Sequence, residues 1–153
     1  LAAFLGALGV LAVYLLSMRV LAIDLGARRT GLAAADTITR IVSPLDVIQH
    51  SDKPGHREPL VDAAVRDHGP DALLVGIPLN MDGTPGSPAR EAQAWAREAG
   101  RRLGLPVHEV DERQTSEDAD AVMARSGMTH KQKRARRDAL AAAAIAQRWL
   151  DGQ

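Results

Sequence analysis

The chain has 153 residues, enough for one domain with a real core and too few for two large ones. It contains no cysteine, which excludes disulfides and thiolate metal sites, and its 3% aromatic content argues against binding nucleic acid on stacked ring platforms. Formal net charge is zero, from 19 basic and 19 acidic side chains, so the chain is no general polyanion sponge.

Charge is nevertheless segregated. Lys131, Lys133, Arg134, Arg136 and Arg137 form a basic cluster, and Asp111, Glu112, Glu117, Asp118 and Asp120 an acidic one. This pattern suggests an acidic centre with basic edges.

Residues 1–17 are apolar and uncharged. Their length sits at the lower limit of the roughly 17–25 residues of a membrane-spanning helix, and they lack the basic start of a secretory signal. The expectation is a helical extension outside a functional domain that spans 18–153. A membrane anchor is the alternative.

The run Arg19-Val20-Leu21-Ala22-Ile23-Asp24-Leu25-Gly26 predicts a strand ended by glycine. Thr30–Ala35 and Ile41–Ile48 predict two more, with Pro44 marking an edge or a bulge. Short turns join the three, so they should form an antiparallel meander. Gln49–His56 reads as a polar loop. Arg57–His68 has helical spacing, with Leu60, Val61, Ala64 and Val65 inward, and Gly69-Pro70 stops it. Ala72–Ile77 is continuously apolar, hence a strand buried on both faces. Pro78–Gly86 is a turn-rich loop.

Ser87 is expected to cap a helix with Pro88 at its first position. Ala89, Ala92, Ala96, Ala99 and Leu103 form its buried stripe, Glu98 can pair with Arg101 or Arg102, and Gly104 ends it. Val107–Val110 is the last strand. A helix capped by Thr115 or Ser116 should run to Gly127, a basic connector should cover Met128–Ala135, and Arg137–Leu150 is an Ala-rich final helix. Strands joined through helices should be parallel. The predicted architecture is α/β: a mixed five-stranded sheet with helices on both faces.

Three acids stand where chemistry would want them. Asp24 interrupts an apolar strand, where a buried charge is costly unless paired or bound to a metal. Glu112 lies just past the carboxyl end of the last strand, the edge where open α/β sheets hold ligands. Asp111 could take its place, since alternating side-chain direction lets only one of the two face the site. Asp138 shares a helix face with Ala141, Ala142, Ile145 and Trp149, so it should point inward to the first strand.

Three carboxylates brought together cannot all ionise unaided. Mg²⁺ or Mn²⁺, as a pair of ions, would resolve this and could hydrolyse a phosphodiester. Arg28, Arg29, Arg113, Lys131, Lys133, Arg134, Arg136 and Arg137 would hold the polyanion backbone. Of the five histidines only His56 is a candidate for the rim of such a site.

The stretches Asp24-Leu25-Gly26-Ala27-Arg28-Arg29-Thr30-Gly31, Gly76-Ile77-Pro78-Leu79-Asn80-Met81-Asp82-Gly83-Thr84, Asp111-Glu112-Arg113-Gln114-Thr115-Ser116 and Arg137-Asp138-Ala139-Leu140-Ala141-Ala142 occur in that order. Together they resemble the YqgF (RuvX) family, pre-16S rRNA nucleases also described as Holliday-junction resolvase-like. The resemblance covers Met18 to Leu150. It implies a ribonuclease H-like fold, a cytoplasmic location, metal-dependent nuclease chemistry on pre-16S rRNA or branched DNA, and catalytic acids at Asp24, Glu112 and Asp138. Gln114 and Ser116 depart from the family's usual Leu and second Thr.

A resolvase needs two active sites, hence a homodimer. Two other readings compete: a non-catalytic ribosome-assembly or transcription factor on the same fold, and a kinase-like ATPase, since Ile-Asp-Leu-Gly followed by Thr-Gly also resembles that phosphate-binding hairpin. The latter needs two domains, and the chain supplies one.

Overall fold

The computed structural model describes residues 17–113, 124 and 127–153. The expected extension, Ser17 apart, and most of the helix expected after Thr115 lie outside the described residues. Five strands, β1 (Arg19–Leu25), β2 (Arg29–Asp36), β3 (Val42–Gln49), β4 (Ala72–Ile77) and β5 (Val107–Asp111), form one sheet in the order β3-β2-β1-β4-β5. β1 pairs antiparallel with β2, and β2 with β3, while β1–β4 and β4–β5 are parallel. The meander and the parallel half are as expected. Pro44 lies on the edge strand β3, whose register against β2 shifts between Gly31 and Ala33. A residue without an N–H is tolerated at such an edge.

Strand alternation builds two cores. Val20 and Ala22 of β1, with Ala33 and Ala35 of β2 and Leu74 of β4, face the helix α4 (Arg137–Asp151) and its buried Ala142, Ala143, Ile145, Ala146 and Leu150. Leu21 and Ile23, with Leu32 and Leu73, face the other way, onto α1 (Glu58–His68) and α2 (Ser87–Leu103). α1 buries Val61 and Val65, but Leu60, expected inward, is exposed. It falls at the edge of a stripe centred on those two valines, and a helix lying on a flat sheet buries only a narrow stripe.

α2 begins at Ser87, one residue earlier than expected, with Gly86 in the capping position and no side-chain cap. Ser87 instead donates to Glu91 Oε1 at 3.2 Å. Glu98 pairs with Arg101, whereas Arg102 reaches across to Asp62 with two bonds of 2.8 Å. The expected connector Met128–Ala135 is corrected too, because it contains the short helix α3 (His130–Ala135). The signal was in the sequence: Thr129 and Gln132 form a capping box.

The small residues of α4 let it lie close to the sheet. Gly31 of β2 sits beneath its first turn, where a Cβ would overlap the Asp138 carbonyl. At the far end of α4, Arg40 Nη2 donates to Leu150 O at 2.8 Å, with Arg40 in the left-handed region at φ 55°. The β2–β3 turn thus clamps the helix to the strands it covers. Replacing Gly31 by Ala should force the start of α4 outward and cost roughly 1–3 kcal/mol, read as a lower urea midpoint in equilibrium unfolding.

Candidate active site

Period-two alternation carries the core face of each strand into the site. Val20 and Ala22 face α4, so Asp24, two residues on, emerges on the same side at the end of β1. Val110 faces α4, so Glu112 follows it just beyond β5. Asp111 is turned elsewhere, its carboxylate gripped by Arg113 at 2.6 Å. Asp138 stands in the first turn of α4. Room for Glu112 comes from Gly76 of β4, where a Cβ would collide with Glu112 Oε1 and press on Ile145 Cδ1.

The structure therefore brings the three predicted acids to one edge, with Asp24 between the other two. Burial pushes the Asp24 carboxyl up to about 6, and the charge of Asp138 adds to the shift. Burial likewise pushes Glu112 up to about 7, with the charges of Asp24 and Asp111 adding. Asp138 is held by Arg29 Nε at 3.0 Å. Among the described residues no three His, Asp or Glu side chains close into a ready-made cation cage.

The other predicted cations are distributed around this edge. Arg28 pairs with Asp52 at 3.2 Å, both largely exposed. Arg113 is committed to Asp111, and its Nη1 reaches Met81 O at 3.4 Å. Arg136 donates to Leu45 O at 2.7 Å, which fixes the end of the basic run against β3. Lys131 and Arg137 are exposed and Lys133 is half-buried. The side chain of Arg134 lies outside the described residues.

Two of the cavities beside the β1–β2 turn are lined by the acids. One, of about 590 Å³, is lined by Gly26, Arg28, Arg29, His50 and Asp138. The other, of about 310 Å³, is lined by Leu25, Arg57, Gly76, Glu91 and Glu112. The histidine at the rim is therefore His50 and not His56, which hydrogen-bonds Ser51 Oγ in the exposed loop. His50 Nδ1 lies 2.9 Å from Ser51 O, an acceptor, so that nitrogen carries the proton. Its Nε2 then accepts from the buried Thr30 hydroxyl at 3.0 Å and from Arg57 Nε at 3.4 Å. Sequence reading missed His50 and Arg57, because only the packing of α1 on the sheet brings the loop end back to the β1–β2 turn.

This sheet order, with helices on both faces, defines a ribonuclease H-like fold. Solved structures similar to it include Thermus thermophilus RuvC in complex with a Holliday junction substrate, at TM-score 0.55 and 19% identity, covering 84% of this chain and 91% of that one. The fowlpox virus Holliday junction resolvase aligns at TM-score 0.58 and 10% identity, over 89% of this chain and all of its own. The chain belongs to the RuvX family, described as Holliday junction resolvase, whose profile matches residues 18–152. A relative from Anaeromyxobacter sp. (strain Fw109-5), named "Putative pre-16S rRNA nuclease", is 41% identical over 136 residues, 89% of this chain and 98% of its own length. One of the same name from Azotobacter vinelandii is 38% identical over 131 residues, 85% of this chain and 91% of its own. Family and relatives make the chain a nuclease.

The two raised carboxyls tie stability to pH. Between the ordinary values of 3.8 and 4.5 and the raised values near 6 and 7, the folded chain holds protons that the unfolded chain has released. Stability of the metal-free protein should therefore fall as pH rises from about 4 to about 7, by a few kcal/mol at most. Asp24→Asn removes one buried charge and its repulsion of Glu112. Urea unfolding at pH 5 and pH 8 should show a smaller drop for that variant than for the wild type.

Proposed function

We propose that the chain is a metal-dependent endonuclease that hydrolyses phosphodiester bonds, with Asp24, Glu112 and Asp138 as its catalytic acids. The observation that carries this is the convergence of those acids, from two strand ends and a helix start, on one face at the carboxyl edge. Their donor set suits Mg²⁺ or Mn²⁺: all oxygen, with Asp24 and Glu112 desolvated, Asp138 raising Asp24 and Asp24 raising Glu112. A divalent cation relieves both penalties. Bound there, as a pair of ions, it supplies a water of lowered pKa and neutralises charge at phosphorus.

The chain's own groups do the rest. Arg29 orients the Asp138 carboxylate and, more than half exposed, still presents guanidinium N–H groups outward. Arg28, Arg113 and the basic run Lys131–Arg137 hold the backbone by charge, which gives salt-sensitive binding with little base preference. Gly76 keeps a space that any side chain would take from Glu112. Below about pH 7 Glu112 retains its proton, so metal binding and cleavage should both rise as pH climbs through 6 to 8.

The substrate reading follows the names of the relatives and of the family: the 5′ end of pre-16S rRNA, branched DNA, or both, in the cytoplasm. Cutting a four-way junction requires two sites and hence a homodimer, which a solution mass measurement tests.

The deciding assay is a cleavage panel of pre-16S rRNA fragment, single-stranded RNA and four-way DNA junction with each metal. Asp24→Asn, Glu112→Gln and Asp138→Asn should each lose at least about 100-fold in rate. Equal activity of wild type and Asp24→Asn would discard the acid assignment. RNA binding without cleavage under either metal would favour the non-catalytic reading.

A further inference from the structure

We infer that Arg57 grips a phosphate of the nucleic-acid strand on the Glu112 side of the site, with His50 as its positioning residue. This rests on the nuclease reading above.

Each of the other arginines named at this edge shares its charge with a carboxylate: Arg28 with Asp52, Arg29 with Asp138 and Arg113 with Asp111. In the cavity that Glu112 lines, Arg57 is the cationic residue of the wall. It is half-buried, and its Nη2 donates to Gly26 O at 2.7 Å, two residues beyond Asp24. Its Nε donates to His50 Nε2, whose lone pair is turned that way by the Nδ1 bond to Ser51 O. A guanidinium has five N–H donors, and these two bonds leave three.

Among the described residues no carboxylate lies within ion-pair distance of Arg57. Burial holds its guanidinium below the ordinary value, and the charge of Glu58 only partly offsets this. A half-buried cation that lines a cavity, with two neutral partners and three N–H groups left over, is costly to keep unless an anion completes it. Phosphate is the anion whose paired oxygens match that fork. The purely architectural alternative, a tie from the start of α1 to the β1–β2 turn, needs only the two neutral bonds and leaves the charge without use.

The test separates charge from architecture. Binding of a single-stranded RNA and of a four-way DNA junction is measured across KCl concentration in the cleavage-silent Asp24→Asn background. Steady-state cleavage with Mn²⁺ is measured with Asp24 intact. Arg57→Gln should reduce the slope of log affinity against log salt by about 0.7–0.9, the share of one phosphate contact. It should also raise KM about tenfold, with a smaller change in kcat. Arg57→Met, which keeps the apolar stem, should do the same and serves if the Gln variant does not fold.

Arg57→Lys should keep the wild-type slope, because the charge remains. His50→Gln should raise KM while keeping the slope, because it misaims the guanidinium without removing it. A lowered melting temperature with an unchanged salt slope in Arg57→Gln overturns the inference and leaves the nuclease reading standing. A wild-type chain that neither binds nor cleaves either nucleic acid overturns both.

Discussion

The Ala-rich face of α4 rests on β1 and β2, with Gly31 bare where the Asp138 carbonyl meets the strand. Helix and sheet come this close because small residues line the contact. That approach puts an acid in the first turn of a helix beside an acid at the end of a buried strand. The helix amino end favours a negative charge there. Arg29, arriving from the neighbouring strand, completes the support of Asp138. On the other side of Asp24, Gly76 plays a matching part by making room for Glu112.

The site is electrostatically unfavourable in isolation, and that is informative. Away from the site, the Arg102–Asp62 pair is complete and bidentate. At the carboxyl edge the cations are displaced by one step. Arg29 answers Asp138, Arg113 answers Asp111, and Arg57 faces the Glu112 cavity with neutral partners. Burial raises both Asp24 and Glu112, and the charge of Asp24 adds to the shift of Glu112. Such an arrangement costs stability by itself, the common relation between a functional site and the fold that carries it.

Much of the fold was legible in the sequence. Apolar runs gave the strands, the punctuation at Gly26, Gly69 and Gly104 gave element ends, and short turns against helical crossovers gave antiparallel and parallel pairing. The inward direction of Asp138 could also be read, since its neighbours Ala142 and Ile145 had to face the sheet. The errors were local. Leu60 sat at the margin of a stripe, Ser87 yielded the cap position to Gly86, and the Thr129–Gln132 capping box was overlooked inside a run that read as charge alone.

By itself the sequence determined which residues could be acids, which segments had to be buried, and hence that Asp24 and Asp138 would lie on buried faces. Periodicity decides such matters within one element, since side-chain direction follows from 2.0 or 3.6 residues per repeat. Tertiary structure alone decided who partners whom. Arg29 goes to Asp138, Glu112 rather than Asp111 turns to the site, and His50 and Arg57 reach residues 20 and 31 positions upstream, Thr30 and Gly26. Those contacts join residues far apart in the chain. They depend on how closely whole elements pack, which glycines such as Gly31 and Gly76 set and no local pattern reveals.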